Sequence, residues 1–242
     1  MPRGHEDWGW SDRAQLLAPL SDLGELAARL GTIANYDRLG NVLFMDAFDD
    51  GLTAWEITVG GADSSVQPVT NIAYHGTASA CLVGGSTLVG FAQITKSISS
   101  YLLTSVGVQY MFNVPTPNDS IQINIGYYLS DNTYLYQIRL YETDNTIKYL
   151  DSDGNYQVLT QHNIEAGHDY IWHTIKLVCD LEKRMYMKLV LDANVYQMSG
   201  IGCYPVGVVG IPHVRSSIAV FSRSGHNDRI FVDNVVFTIN EV

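Results

Sequence analysis

Cysteine is scarce in this 242-residue sequence: Cys81, Cys179 and Cys203 are far apart, and none has the C-x-x-C or Cys/His spacing of a zinc site. They read as three buried thiols, or as one disulfide with a spare thiol if the protein is exported. Basic charge is also in short supply, because 14 Lys and Arg against 25 Asp and Glu leave a net charge of −11. Such a surface repels phosphate backbones and anionic lipid, which argues against nucleic-acid binding. No apolar run approaches the ~20 residues that cross a bilayer, so no membrane insertion is expected. The opening MPRGHEDWGW mixes charges and lacks the apolar stretch of a secretory signal. This is expected of a chain that stays in the producing cell until release, or of one whose signal has been removed.

Enzyme signatures are missing too. The glutamates are scattered singly, with no E-x-D-x-x-E strand to set two carboxylates across a cleft. There is no G-x-S-x-G elbow and no glycine-rich phosphate loop. In HDYIWHTIKL, His168 and His173 are five residues apart, which puts them on opposite faces of a strand. They are expected at an edge or the surface, unable to share a metal. A non-enzymatic role follows as the expectation.

What is present is a core and a change of texture along the chain. Hydrophobic residues make up 46% and charged residues 16%, with 15 tyrosines, enough to fold a compact body. Residues 1–41 form an arm rich in Arg, Asp, Gly and Leu. Within it SDLGELAARLG sets Leu23, Leu26, Ala27 and Leu30 on one helical face, with Ser21 or Asp22 as N-cap and Gly31 as the stop. A helix of about ten residues is marginal alone, so it needs a surface to dock on. Trp8 and Trp10, amphipathic anchors beside charged residues, read either as interface groups or as caps on the chain's own core.

From residue 42 the period becomes two. SIQINIGYYL alternates Ile121, Ile123, Ile125, Tyr127 and Leu129 against Gln122, Asn124, Gly126 and Tyr128. YLYQIRLY does the same with Tyr134, Tyr136, Ile138 and Leu140, and SDNT between them is a turn. Further strands are predicted at 66–73, 78–83, 91–98, 106–114, 146–150, 156–160, 170–179, 184–191, 217–223 and 229–239. The expected fold is all-β: a two-sheet antiparallel jelly-roll sandwich over 42–242, preceded by the arm with its one helix. On the central hairpin Gln122, Asn124, Tyr128, Gln137, Arg139 and Tyr141 point away from the core. Amides, a guanidinium and aromatic rings on one face suit sugars, whose C–H faces stack and whose hydroxyls bond. The same face also reads as plain solvated surface or as packing against a neighbouring subunit.

FMDAFDDGLTAW, residues 44–55, and Asp233 within RIFVDNVVFTI are polar interruptions that need a reason. NVLFMDAFDDGLTAW, AYHGTASACLV and IFVDNVVF resemble, in that order, the first strand and turn, a following strand and the last strand of β-jelly-roll carbohydrate-binding modules, a concanavalin-like sandwich. The resemblance implies a structural Ca²⁺ held by Asp49 and Asp233 with backbone carbonyls; otherwise Asp49, Asp50 and Gly51 only turn the chain and Asp233 accepts backbone N–H groups. DSDGNYQ lacks Gly and Glu where an EF-hand loop requires them, so it is a hairpin turn. The arm, from MPRGHEDWGW to YDRLG, resembles the start of structural proteins carried by tailed phages. This implies a virion structural or attachment protein assembled in the host cytoplasm, with virion proteins, its own copies and surface glycans as partners. The alternatives are a free-standing extracellular carbohydrate-binding module and, lacking its carboxylates, a jelly-roll glycosidase or lyase.

Overall fold

The computed structural model describes residues 40–87, 90–99, 104–207 and 211–241. The expected helix with Leu23, Leu26 and Leu30, and the pair Trp8 and Trp10, lie outside the described residues.

Sixteen strands form among the described residues: β1 (Asn41–Asp46), β2 (Glu56–Gly60), β3 (Ser65–Val69), β4 (Ser79–Val83), β5 (Phe91–Ile98), β6 (Ser105–Asn113), β7 (Ser120–Tyr128), β8 (Thr133–Tyr141), β9 (Thr146–Leu150), β10 (Tyr156–Gln161), β11 (Trp172–Asp180), β12 (Met185–Leu191), β13 (Asn194–Gln197), β14 (Tyr204–Pro205), β15 (His213–Phe221) and β16 (Arg229–Ile239). One sheet runs β13-β12-β11-β6-β16-β4-β3, with β1 also on β16. The other runs β10-β9-β8-β7-β15-β5-β2, with β14 on β8. All pairings are antiparallel, and the two sheets make the expected sandwich. The strands β2, β13 and β14 were not expected. β2 is exposed along most of its length, so burial does not impose a clean alternation on it.

The period-two pattern places the core directly. Val108, Tyr110 and Phe112 of β6 and Ile121, Ile123 and Ile125 of β7 are fully buried, together with Ile218 and Val220 of β15. Tyrosines carry polar tips through this core and bond across it. Tyr110 Oη lies 2.8 Å from Ser216 Oγ, and that hydroxyl donates to Asn124 O at 2.6 Å. Tyr186 on β12 donates to Leu150 O at 2.8 Å and receives Gln137 N–H at 2.8 Å, tying one sheet to the other. A buried phenol needs such partners, which accounts for tyrosine rather than phenylalanine here.

β16 has one irregularity that matters for the candidate cation site. β4 pairs with Arg229–Val232 and β1 takes over along Val235–Ile239, with a register shift between Asp233 and Val236 and Asn234 at φ 42°. Asp233 therefore sits in the gap between two neighbours. The segment Asp151–Asn155 is the hairpin turn expected of it: Asp151 Oδ1 accepts Asp153 N at 3.0 Å and Asn155 N at 2.8 Å. All three cysteines are buried and free. No helix among the described residues is long and apolar enough to cross a membrane.

Candidate functional site

The outer face of the β15 sheet gathers most of the expected residues. Register sets Gln122 opposite Arg139, Asn124 opposite Gln137 and Ser120 opposite Tyr141. On the other side of β7, Phe221, Ala219 and Ser217 of β15 face Ser120, Gln122 and Asn124. The small Ala219 and Ser217 leave the taller neighbours standing around them.

Arg139 is the centre of the arrangement. Its Nε donates to Gln122 Oε1 at 3.1 Å, one terminal nitrogen donates to the same oxygen, and the other donates to Tyr141 Oη at 3.2 Å. The guanidinium lies 4.7 Å from the Phe221 ring centre, 5.0 Å from that of Tyr156 and 5.7 Å from that of Tyr141. Lys148 Nζ sits 4.2 Å from the Tyr141 ring on its way to Asp144 Oδ2 at 3.0 Å. Phe221 stacks on Phe91 at 5.7 Å, extending the aromatic surface toward β5. Asn124 donates to Ser217 Oγ at 3.0 Å, while its Oδ1 is buried without a hydrogen-bond partner. A carbonyl oxygen in that state is an acceptor awaiting a donor.

Five of the six expected residues thus share one patch. Tyr128 does not: it lies six residues beyond Gln122, about 20 Å along β7, where it stacks on His213 with centroids 4.3 Å apart. Tyr156, Phe221, Lys148 and Phe91 belong to the patch but were missed. They come from β10, β15, β9 and β5, and only strand order brings them together. The aromatic period in each strand marks their faces, yet nothing local says which strands are neighbours.

Asp49 and Asp233 converge on one segment. Asp233 Oδ2 accepts Tyr74 N at 2.8 Å and His75 N at 3.1 Å, and its Oδ1 accepts Asn234 N at 2.7 Å. Asp49 Oδ1 accepts Thr77 N at 2.6 Å and Thr77 Oγ1 at 2.8 Å. Burial pushes the Asp233 carboxyl up to about 6 against the pull of those N–H groups, and the nearby Asp49 charge adds to the rise. Hydrogen bonds from Thr77 hold Asp49 below the usual range. Two carboxylates close enough to repel suit a hard cation by charge. Their hydrogen bonds already occupy much of their acceptor capacity, so a cation here would rely on backbone carbonyls for the rest.

One histidine differs from its expectation. His168 is exposed and precedes β11, but His173 is buried. Its Nδ1 lies 2.9 Å from Asp192 Oδ2, and Asp192 Oδ1 takes Thr174 N at 2.8 Å. Burial opposes a charge on His173, but the Asp192 carboxylate outweighs it and raises the imidazole above its usual value. His168 lies outside β11, so the two are not on opposite faces of one strand, and the partner that covers His173, Asp192 just after β12, was invisible to local pattern. No group of three or more His, Cys, Asp or Glu among the described residues is arranged to hold a metal ion.

No family model and no curated protein matches this chain. Solved structures do. An endo-beta-1,4-glucuronan lyase from the fungus Trichoderma reesei matches with a TM-score of 0.56 at 11% identity, covering 81% of this chain and 95% of that one. A cellulose induced protein, Cip1, matches with a TM-score of 0.53 at 15% identity, covering 81% and 96%. A sialidase matches with a TM-score of 0.52 at 11% identity over 84% of this chain but 19% of its own. At these identities the likeness is one of fold, and that fold is the jelly-roll β-sandwich.

Proposed function

We propose that this protein is a non-enzymatic attachment or structural module that recognises a glycan on the outer face of its β15 sheet. The observation that carries the reading is Arg139, ringed by Phe221, Tyr156 and Tyr141 and fixed by the buried Gln122 on a half-buried sheet face. Aromatic faces accept the C–H side of a sugar ring, and amide and guanidinium groups take its hydroxyls. The unpartnered Asn124 Oδ1 offers a further acceptor on the same face. In its finer form the proposal places the module on a tailed-phage particle, with residues 1–41 as the arm that joins it to virion proteins or to its own copies. The likeness of that arm to phage structural proteins supports this part. Calcium at Asp49 and Asp233 completes the proposal as a structural ion.

A glycan array probed with the full chain tests the reading. A hit is expected, and Tyr141→Ala should weaken it by roughly 0.5–1.5 kcal/mol while barely moving the melting temperature. An array without any hit would remove the glycan role and leave assembly alone. Incubation with the bound polysaccharide should release neither reducing ends nor unsaturated sugars; release of either would make the protein an enzyme.

A further inference from the structure

Beyond Tyr141 and Phe221 the sheet face runs into a second feature. A pocket of about 440 Å³ opens at the end of the sandwich, where Pro117, Asn118, Glu142, Asn145, Ile164 and Arg223 from four loops converge. Glu142 directly follows Tyr141, and Arg223 lies two residues after Phe221, so the pocket begins where the aromatic patch ends. Its size suits a single sugar unit.

The lining is rich in acceptors. Asn118, fully buried, grips Glu142 twice: its backbone N donates to Oε2 at 2.9 Å and its Nδ2 to Oε1 at 2.7 Å. The remaining atom of that amide, Asn118 Oδ1, is buried without a hydrogen-bond partner. Such an oxygen carries its desolvation cost uncompensated unless a ligand supplies a donor. The positive group nearby is already spent: Arg223 Nε and a terminal nitrogen reach Asp228 Oδ2 and Oδ1 at 2.9 and 2.8 Å. Glu165, joined by Glu142 where that carboxyl is ionised, then gives the pocket negative charge, on a chain whose net charge is −11. Anions are disfavoured there, and a ligand with cationic N–H donors is favoured. Pro117 and Ile164 supply an apolar wall.

We propose that this pocket binds a hexosamine unit through its protonated amino group, with Asn118 Oδ1 and Glu142 accepting the ammonium N–H bonds. The proposal rests on the glycan reading above and names the sugar class at one end of the same path. Burial pushes the Glu142 carboxyl up to about 7, with Asp228 adding to the rise and Asn118 and Arg223 opposing it. The bound ammonium should therefore be held more tightly as Glu142 ionises, and affinity should fall again at higher pH once the sugar's own amine, which titrates near an α-amino group, loses its proton.

Glucosamine, N-acetylglucosamine, glucose and methylammonium are the probes, titrated into the full chain while the side-chain amide resonances of Asn118, Asn145 and Asn163 are followed. Glucosamine should shift them, with N-acetylglucosamine and glucose binding at least about tenfold more weakly, the effect of losing one charge-assisted hydrogen bond. Glu142→Gln should lower glucosamine affinity by a similar factor and remove the rising limb of its pH dependence, leaving the fall at higher pH that comes from the sugar's own amine. Asn163→Trp, at the exposed rim, should block the pocket without touching the Asn118 clamp. Equal binding of glucose and glucosamine, methylammonium binding as tightly as the sugar, or no amide shift with any probe would each overturn the proposal. Array binding that is lost in Tyr141→Ala but kept in Asn163→Trp would overturn the pocket while leaving the sheet-face reading intact.

Discussion

Asp233 interrupts an apolar strand because the chain needs an acceptor where β4 gives way to β1. Three backbone N–H groups converge on it, so Asp233→Ala should cost about 2–4 kcal/mol by leaving buried donors unpaired, as read from urea unfolding midpoints. The pH dependence has a definite sign. The folded carboxyl titrates near 6 against a usual 3.8, so between those values the native state holds the proton more tightly. In the presence of chelator, this group's contribution to stability should therefore fall as the pH rises from about 4 to about 6, by on the order of 2 kcal/mol, and Asp233→Asn should flatten that slope. Calcium should act oppositely at neutral pH: an ion bound to the folded state alone adds a few kcal/mol at ~100-fold excess over its dissociation constant. A melting temperature unchanged by chelator would remove the ion from the proposal. His173 works the other way round. Its raised imidazole favours the fold at low pH, and that contribution is lost as the pH climbs through its folded value. Asp192→Asn should accordingly destabilise by about 1 kcal/mol, and by more at pH 6 than at pH 8; an equal loss at both would show that the pair carries no charge.

Strands were legible wherever one face is dry. The alternation of Ile121, Ile123 and Ile125 against Gln122 and Asn124 gave β7 its limits and its two faces, because apolar side chains fill the sandwich core on one side while polar ones, themselves largely covered, line the other. Strands without a dry face gave no such signal: Ile57 and Val59 of β2 are both about half exposed, at 44% and 46%. The patch around Arg139 was legible for the β7-β8 hairpin, a local unit, and not for Tyr156 or Phe221, which arrive through pairings that no neighbouring sequence specifies. Tyr186 shows the same limit from the core side, since its hydroxyl joins β12 to β8 and β9 across the sandwich. Tyr186→Phe keeps the ring and strands both partners, so it should cost about 1–3 kcal/mol in unfolding free energy. A loss within a few tenths would mean that water replaces the phenol.

At the scale of the whole molecule, the sandwich presents two kinds of surface. The β15 sheet offers a polar aromatic face, while Leu43 and Met45 at the start of β1 stand exposed at 48% and 37% immediately after the arm. The arm itself carries apolar residues at helical spacing and two tryptophans, which are costly to leave in water. In the assembly proposal these groups engage another protein. Deleting residues 1–40 should then leave the monomer's melting temperature unchanged and abolish entry into particles or oligomers, measured by light scattering and particle incorporation. Truncating one anchor, Trp8→Ala or Trp10→Ala, should weaken the interface by about 2 kcal/mol or more if it lies at the centre. The opposite pattern is equally readable: an arm that covers its own sandwich would, when removed, uncover apolar surface, lower the melting temperature and promote nonspecific association. A truncated protein that melts normally and still assembles would leave the arm without either role and take away the structural support for a place in a virion.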